Sequence, residues 1–265
     1  MEATAPKVGN VHPGASFDDM TYENFVQSAY AVAPVLSQVQ SDSIGKTILE
    51  SVRATNEKVQ CNTNLGIVLL LAPLVAVPAS IPLKEGCKNL LQKLTLEDAK
   101  HVYEAIRIAN PGGMGENDKG DIQQHPTGTL LEMMQLAATH DQIAAQYVNG
   151  YADLFEFGLT CLEDVQDFTK NIEENIVWLQ LRFLERYSDS HIIRKCGKET
   201  GKKVQQRAAE ILASGFPRSS QSQKLLREFD NWLRQENNIR NPGTTADLIT
   251  ATLFIALREG LLEIP

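Results

Sequence analysis

From Asp141 to Phe183 the chain reads DQIAAQYVNGYADLFEFGLTCLEDVQDFTKNIEENIVWLQLRF, and this stretch decides the fold. Its apolar residues recur three and four apart: Ile143, Ala144, Tyr147, Tyr151, Leu154 and Phe155, then Val165, Phe168, Ile172, Ile176, Leu179 and Phe183. Side chains at that spacing share one face of a helix, whereas a half-buried strand alternates in twos. The stretch therefore predicts two long antiparallel helices. The same period runs outward in both directions. Upstream lie Tyr22, Phe25, Val26, Ala29, Tyr30 and Ala33, then Ile44, Ile48, Val52 and Val59. Thr95-Leu96-Glu97-Asp98 has the form of a capping box and leads into Ala99, Val102, Tyr103 and Ile106. Downstream come Val204, Ala208, Ile211 and Leu212, then Leu225, Leu226, Phe229, Trp232 and Leu233, and last Leu248, Ile249, Thr252, Leu253 and Ala256. No stretch has a period of two and no repeat of fixed length occurs. The predicted class is all-α, with roughly nine to eleven helices in one bundle-like domain spanning residues 1–265.

Composition narrows the function. Of 265 residues, 43% are hydrophobic and 22% charged, which excludes disordered, collagen-like and coiled-coil chains. A net charge of −8 argues against a generic nucleic-acid binder, which needs a surplus of Lys and Arg to neutralise phosphates. Four cysteines stand without any CxxC pair, so no zinc ribbon or dithiol redox motif is written here, and reduced thiols in a cytoplasm are expected. Met1 to Gly14 lacks the basic-then-apolar form of a secretory signal. Val59 to Leu83 carries no charge, yet Pro73, Pro78, Pro82 and the amides of Gln60, Asn62 and Asn64 fit a buried core helix and not a lipid span. Small-molecule ligands are expected, with neither nucleic acid nor membrane as partner; no pattern specifies an oligomeric state.

Four loops are dense in small and amide residues. The first, Pro6 to Pro13, runs into Phe17-Asp18-Asp19-Met20. Ser16-x-x-Asp19 has the spacing of a capping box, but that leaves Asp18, Lys7, Asn10 and His12 unexplained. A lysine as point charge and carboxylates as Mg²⁺ ligands suit a metal–phosphate group. The second loop, Cys61-Asn62-Thr63-Asn64-Leu65-Gly66, precedes the charge-free helix; its amides either cap that helix or face a phosphate or sugar. In the third, Asn110 to Asp121, Gly115-x-x-x-x-Gly120 is followed by Asp121 where a phosphate-binding P-loop requires Lys, and no strand precedes it. That loop reads as flexible, with Gly113 and Gly115 as candidate ligand-contacting glycines and Asp121 as a candidate metal ligand. The fourth, Asn241 to Asp247, enters the last helix. Thr244-x-x-Asp247 again matches a capping box, while Gly243, Thr244 and Thr245 at a helix N-terminus suit an anion.

Other constellations carry less. There is no GxSxG elbow and no HExxH. His140-Asp141 hints at a helical metal-dependent phosphohydrolase without its partner residues. The run Arg194-Lys195-Cys196-Gly197-Lys198, with Lys202 and Lys203, is either a solvated face or a counter-charge for a polyphosphate.

Taken in order, the loops resemble the triphosphoribosyl-dephospho-CoA synthase family. The family's opening proline–lysine–x–glycine segment and its aspartate–methionine are matched by Pro6, Lys7, Gly9, Asn10 and Asp19-Met20, with Phe25 and Ser28 on the next helix. Its asparagine–threonine–x–x–glycine turn is matched by Asn62, Thr63 and Gly66. Its late turn is matched by Pro242, Gly243, Ala246, Asp247 and Leu248. The resemblance implies an all-helical enzyme that moves the 5-triphosphoribosyl group of ATP onto the ribose 2′-hydroxyl of 3′-dephospho-CoA and releases adenine. Asp18, Asp19 and Asp247 are its candidate catalytic carboxylates and Lys7 with the loop amides its candidate nucleotide contacts, while Asp18 and Asp19, joined by Asp121 from the reading of the third loop, are the candidate Mg²⁺ ligands. The sequence departs from the pattern at Asn64-Leu65, where many members carry a basic residue, and at Thr244-Thr245, which replaces a glycine–serine. These loops are similar to a branch found in archaea and in bacteria with one-carbon cofactor pathways. Ribosyl transfer to a pterin-type precursor is therefore the alternative reading, and a phosphohydrolase another.

Overall fold

The computed structural model describes residues 1–111, 122–166, 169 and 171–263. Among them are thirteen α-helices and no sheet, so the all-α expectation holds, with more and shorter helices than the periodicity suggested. The chain packs as two compact units. One holds residues 23–155 with 254–265, the other residues 1–22 with 156–253.

The first unit carries α1 (Tyr22–Leu36), α2 (Ile44–Val59), α3 (Leu65–Val75), α4 (Leu83–Leu91), α5 (Leu96–Ala109), α6 (Leu130–Ala137) and α7 (Gln142–Asn149). Its α2 lies along α5, and α3 along α2, α4 and α7. The α2–α5 approach is close because position 45 is glycine: a Cβ there would stand 2.4 Å from the Asp98 Cα. Asp98 then serves twice. Its Oδ1 accepts from the Gly45 N–H at 2.8 Å, and its Oδ2 closes the capping box of α5 with Thr95, as the sequence predicts.

The charge-free helix α3 is a core helix, and no helix among the described residues is long and apolar enough to cross a membrane. Pro73 inside it has no N–H, so the carbonyl of Leu69, four residues back, loses its helical donor. The Tyr147 hydroxyl donates to that oxygen at 2.6 Å, and Tyr151 donates to the Leu70 carbonyl at 3.2 Å. Both phenols are fully buried, and burial pushes their pKa values up, which keeps them protonated donors. Tyr147→Phe should accordingly cost about 1–3 kcal/mol, because it strands a buried carbonyl while leaving the packing intact. A denaturation midpoint equal to wild type would count against this account.

Two sequence expectations change in this unit. The stretch from Asp141 does not continue as one helix: Gly150 and Tyr151 adopt positive φ, 68° and 63°, and end α7, and a π-helical turn follows at Asp153–Gly158. The buried hydroxyl bond of Tyr151 holds it in this left-handed conformation, a tertiary demand that periodicity does not report. On α1 the buried residues are Ser28, Val32 and Leu36, so the inward face is rotated away from the predicted stripe, and Tyr30 is 77% exposed.

The second unit carries α8 (Leu159–Gln166), α9 (Ile172–Arg186), α10 (Ser190–Cys196), α11 (Lys198–Ala213), α12 (Ser220–Asn238) and α13 (Gly243–Arg258), whose last turns fall in the first unit. Phe168 of the predicted stripe lies outside the described residues. Helix α11 packs on α9, α10 and α12 around Val177, Leu181, Leu184, Ile192, Val204, Ala208, Phe229 and Leu233. Val8, from the N-terminal segment, is part of this core and anchors the first loop.

Candidate active site

The N-terminal segment is held as a strap by side chains from distant helices. Gln180 of α9, fully buried, accepts from the Val8 N–H at 2.9 Å and donates to the Val8 carbonyl at 2.8 Å and to Asn10 Oδ1 at 2.9 Å. Its amide thus stands in for a neighbouring strand. Asp230 of α12 accepts from the Gly9 N–H at 2.7 Å. Gly9 is required here twice over: its φ is +71°, and a Cβ would stand 2.9 Å from Leu233 and Pro242. Arg234 donates through Nε to Asp230 and through Nη2 to the Asn10 carbonyl at 2.7 Å. The Lys7 ammonium, with no exposed surface, pairs with Glu2 Oε1 at 2.8 Å and donates to the Glu2 carbonyl at 2.6 Å. His12 accepts from the Gly14 N–H, and burial together with the Arg234 charge lowers its pKa.

The strap meets the late turn. Asn10 Nδ2 donates to Asn241 Oδ1 at 2.7 Å and to the Pro242 carbonyl at 3.4 Å, joining two motif segments 231 residues apart. The approach depends on an unusual backbone: Glu236, Asn237 and Asn238 all take left-handed φ of 56–58°, which ends α12 and turns the chain toward Asn241. Helix α13 begins at Gly243, so Thr244 lies inside its first turn and the predicted Thr244–Asp247 capping box does not form. The Thr244 hydroxyl bonds instead to Ser190 Oγ at 2.9 Å. The anion expected at this N-terminus is the protein's own: Asp189 Oδ2 accepts from the Thr245 N–H and hydroxyl, both at 2.7 Å. Asp247 is half-buried beyond the first turn.

Asp18 and Asp19 sit exposed on a bend before α1. Because α1 starts only at Tyr22, Asp19 is not the third residue of a helix, and the Ser16–Asp19 capping box is absent. In the first unit the N-cap of α3 is Asn64, whose side chain makes no cap bond, and Asn62 Oδ1 accepts from the Leu65 N–H at 3.2 Å, satisfying the first helical amide from two residues before the cap. Thr63 bonds to Ser28 at 2.6 Å and Asn64 to Thr55 at 3.0–3.1 Å, while Gly66 is in the first turn of α3. Gly113, Gly115 and Asp121 lie outside the described residues. Among the described residues no three His, Cys, Asp or Glu side chains gather as a metal cluster. His140-Asp141 has a structural explanation: Asp141 caps α7 through the Ile143 and Ala144 amides.

Sequence reading missed Gln180, Asp230, Arg234 and Asp189. A signal did exist for Gln180, which shares the buried face of Val177 and Leu184: a polar residue on an apolar stripe must find a partner.

Two of the matched segments, Pro6–Asn10 and the late turn from Pro242, are thus joined in the second unit, while Asn62, Thr63 and Gly66 lie in the first. A model of the ATP:dephospho-CoA triphosphoribosyl transferase family matches residues 1–264, nearly end to end. The chain belongs to this family. It is 23% identical over 97% of its length to a Streptococcus mutans protein named "Probable 2-(5''-triphosphoribosyl)-3'-dephosphocoenzyme-A synthase", covering 92% of that relative. Its fold is similar to the crystal structure of an Archaeoglobus fulgidus protein assigned as a triphosphoribosyl-dephospho-CoA synthase, with a TM-score of 0.68 and 27% identity. That likeness covers 89% of this chain and 99% of the other. Nothing in these matches points to a pterin-type acceptor or to a phosphohydrolase.

Proposed function

We propose that this chain transfers the 5-triphosphoribosyl group of ATP to the ribose 2′-hydroxyl of 3′-dephospho-CoA. The family match across residues 1–264 carries the reading. The meeting of the Lys7–Asn10 strap with the Asn241–Thr245 turn supports it. The bond from C1′ to the purine nitrogen breaks, a bond from C1′ to the acceptor 2′-oxygen forms, the hydroxyl proton leaves and adenine departs protonated. Positive charge grows on the sugar as in other glycosyl transfers, and a nearby carboxylate stabilises it. Asp18, Asp19 and Asp247 are the carboxylates for that charge and for the acceptor proton. Lys7 supplies a cation to the triphosphate, and in the same unit Asn10, His12, Gly243, Thr244 and Thr245 are the polar groups of the nucleotide loops.

Mg²⁺ fits the donor set. Asp18 and Asp19 are adjacent, exposed, hard oxygen donors, and Mg²⁺ ordinarily takes one or two carboxylates together with substrate phosphates and retained waters. Bound there it supplies charge neutralisation of the triphosphate. The four cysteines are free thiols, as a reducing compartment keeps them, which supports a cytoplasmic enzyme.

The test is to incubate the protein with ATP, Mg²⁺ and dephospho-CoA and separate the products. Free adenine with a triphosphoribosyl adduct is expected. ADP or phosphate without adenine would move the reading to a hydrolase, and adenine-free turnover of phosphoribosyl pyrophosphate with a reduced pterin would move it to the one-carbon alternative.

A further inference from the structure

We propose that Asp189 is a positioning residue for the transfer reaction, setting the turn that carries Gly243, Thr244, Thr245 and Asp247. The inference rests on the functional reading above, which places that turn at the nucleotide. It adds a residue from a different part of the chain that none of the matched segments contains.

The observation is a residue-by-residue pairing of two helix starts. Asp189, the N-cap of α10, holds Thr245 through both its N–H and its hydroxyl. Ser190 meets the hydroxyl of Thr244. His191 stands against Gly243, its Nδ1 only 2.4 Å from where a Cβ would lie, so no other residue fits at 243 without displacing the ring. Three consecutive residues thus hold three consecutive residues, in antiparallel order. Burial pushes His191 down to about 3, with Lys195 and Arg194 adding to the effect, so the ring packed on Gly243 is neutral.

Within this pairing Asp189 is the unusual member. It is 2% exposed, and burial raises its carboxyl pKa although three donors oppose that: the Thr245 hydroxyl, the Thr245 N–H and the Ile192 N–H at 3.0 Å. Capping α10 alone requires only a Ser, Thr or Asn. A carboxylate does what those cannot: one oxygen serves α10 while the other takes two donors from α13. The Thr245 hydroxyl proton is therefore committed to Asp189, which leaves that oxygen as an acceptor only and fixes the backbone two residues before Asp247. Displacing a reacting group by about 1 Å is worth up to 10²-fold in rate, so a residue with no substrate contact can control turnover through this hold.

The experiment compares Asp189→Asn, Thr245→Val and the double variant with the wild-type chain. Adenine release is measured per folded molecule, and KM for ATP and for dephospho-CoA is measured separately. Asn keeps the size but turns a donor toward the Thr245 N–H or the Ile192 N–H, whereas Val removes only the hydroxyl bond and keeps the carboxylate. Each single variant is expected to lower kcat by about tenfold or more with KM within about threefold, and the double variant to be no worse than the poorer single one, because the hydroxyl bond that Thr245→Val removes is part of the same Asp189–Thr245 hold that Asp189→Asn disrupts. Folded Asp189→Asn with wild-type kcat, or losses that multiply in the double variant, would overturn the proposal. Should Asp189→Asn not fold, Thr245→Val decides, and full activity there overturns it. A wild-type protein that releases no adenine overturns the functional reading and this inference together, while an active wild type with indifferent variants overturns this inference alone.

Discussion

Asp19→Ala and Asp247→Ala should each lower adenine release by about 10²-fold or more while moving the melting temperature little, the signature of lost transition-state stabilisation and not of lost fold. Both carboxylates had a structural explanation in the sequence, since each sits at the far end of a capping-box pattern. A cap removed by Ala costs about 0.5–2 kcal/mol of stability and leaves turnover per folded molecule intact. The structure withdraws that explanation in both cases. Helix α1 begins at Tyr22, beyond Asp19, and α13 begins at Gly243, which puts Asp247 past the first turn where a capping partner stands. Asp19 is exposed, and exposed substitutions away from caps and cores usually fall within about 0.5 kcal/mol of wild type. Asp247 is half-buried, so Asp247→Asn, which keeps its shape, is the gentler companion variant. A melting temperature that falls while turnover per folded molecule holds would return both residues to structure.

The elements that sequence alone made legible are those whose order is local. The 3.6-residue period located α2, α5, α11, α12 and α13, because the stripe each buries is written in consecutive turns, while α3 was marked by its charge-free run. The Thr95–Asp98 box formed because both residues lie in one turn. Illegible were the features decided by partners far along the chain. Gly150 is compatible with a helix interior until packing draws Tyr151 into the left-handed region to reach Leu70. The pattern Thr244-x-x-Asp247 is indistinguishable from a cap until Asp189 and Ser190 arrive from 54–56 residues away and pull the helix start forward to Gly243. The site divides the same way. Its loops announced themselves through Gly, Pro and Asn, whereas the clamps that shape them, Gln180, Asp230 and Arg234, lie within ordinary helices and are 170–224 residues distant from the strap they hold.

Lys7 offers the second large effect, and here stability and ligand binding can be separated by design. Lys7→Met removes a fully buried ammonium and leaves the Glu2 side chain, 9% exposed, without its cation. Breaking a buried pair from one side costs about 3–5 kcal/mol, because the remaining charge is stranded away from water. Glu2→Gln in the same chain removes that stranded charge, so the double variant should recover most of the lost stability. ATP binding should not recover with it. In the wild type two of the three ammonium protons are spent on Glu2, through its carbonyl and its carboxylate, so in the proposed role of Lys7 a phosphate oxygen must displace that carboxylate to gain the cation. Wild-type protein at an ATP concentration 100 times the dissociation constant should be stabilised by about 2.7 kcal/mol, and this increment should be lost in Lys7→Met and in the double variant alike. Glu2→Gln alone should bind ATP more tightly than wild type, since the competing carboxylate is gone while the lysine remains. If the double variant is stable and is stabilised by ATP as the wild type is, Lys7 is a strut for the N-terminal turn and the triphosphate takes its charge from elsewhere, with the Arg194, Lys195 and Lys198 run on α10 and α11 the next cations to vary.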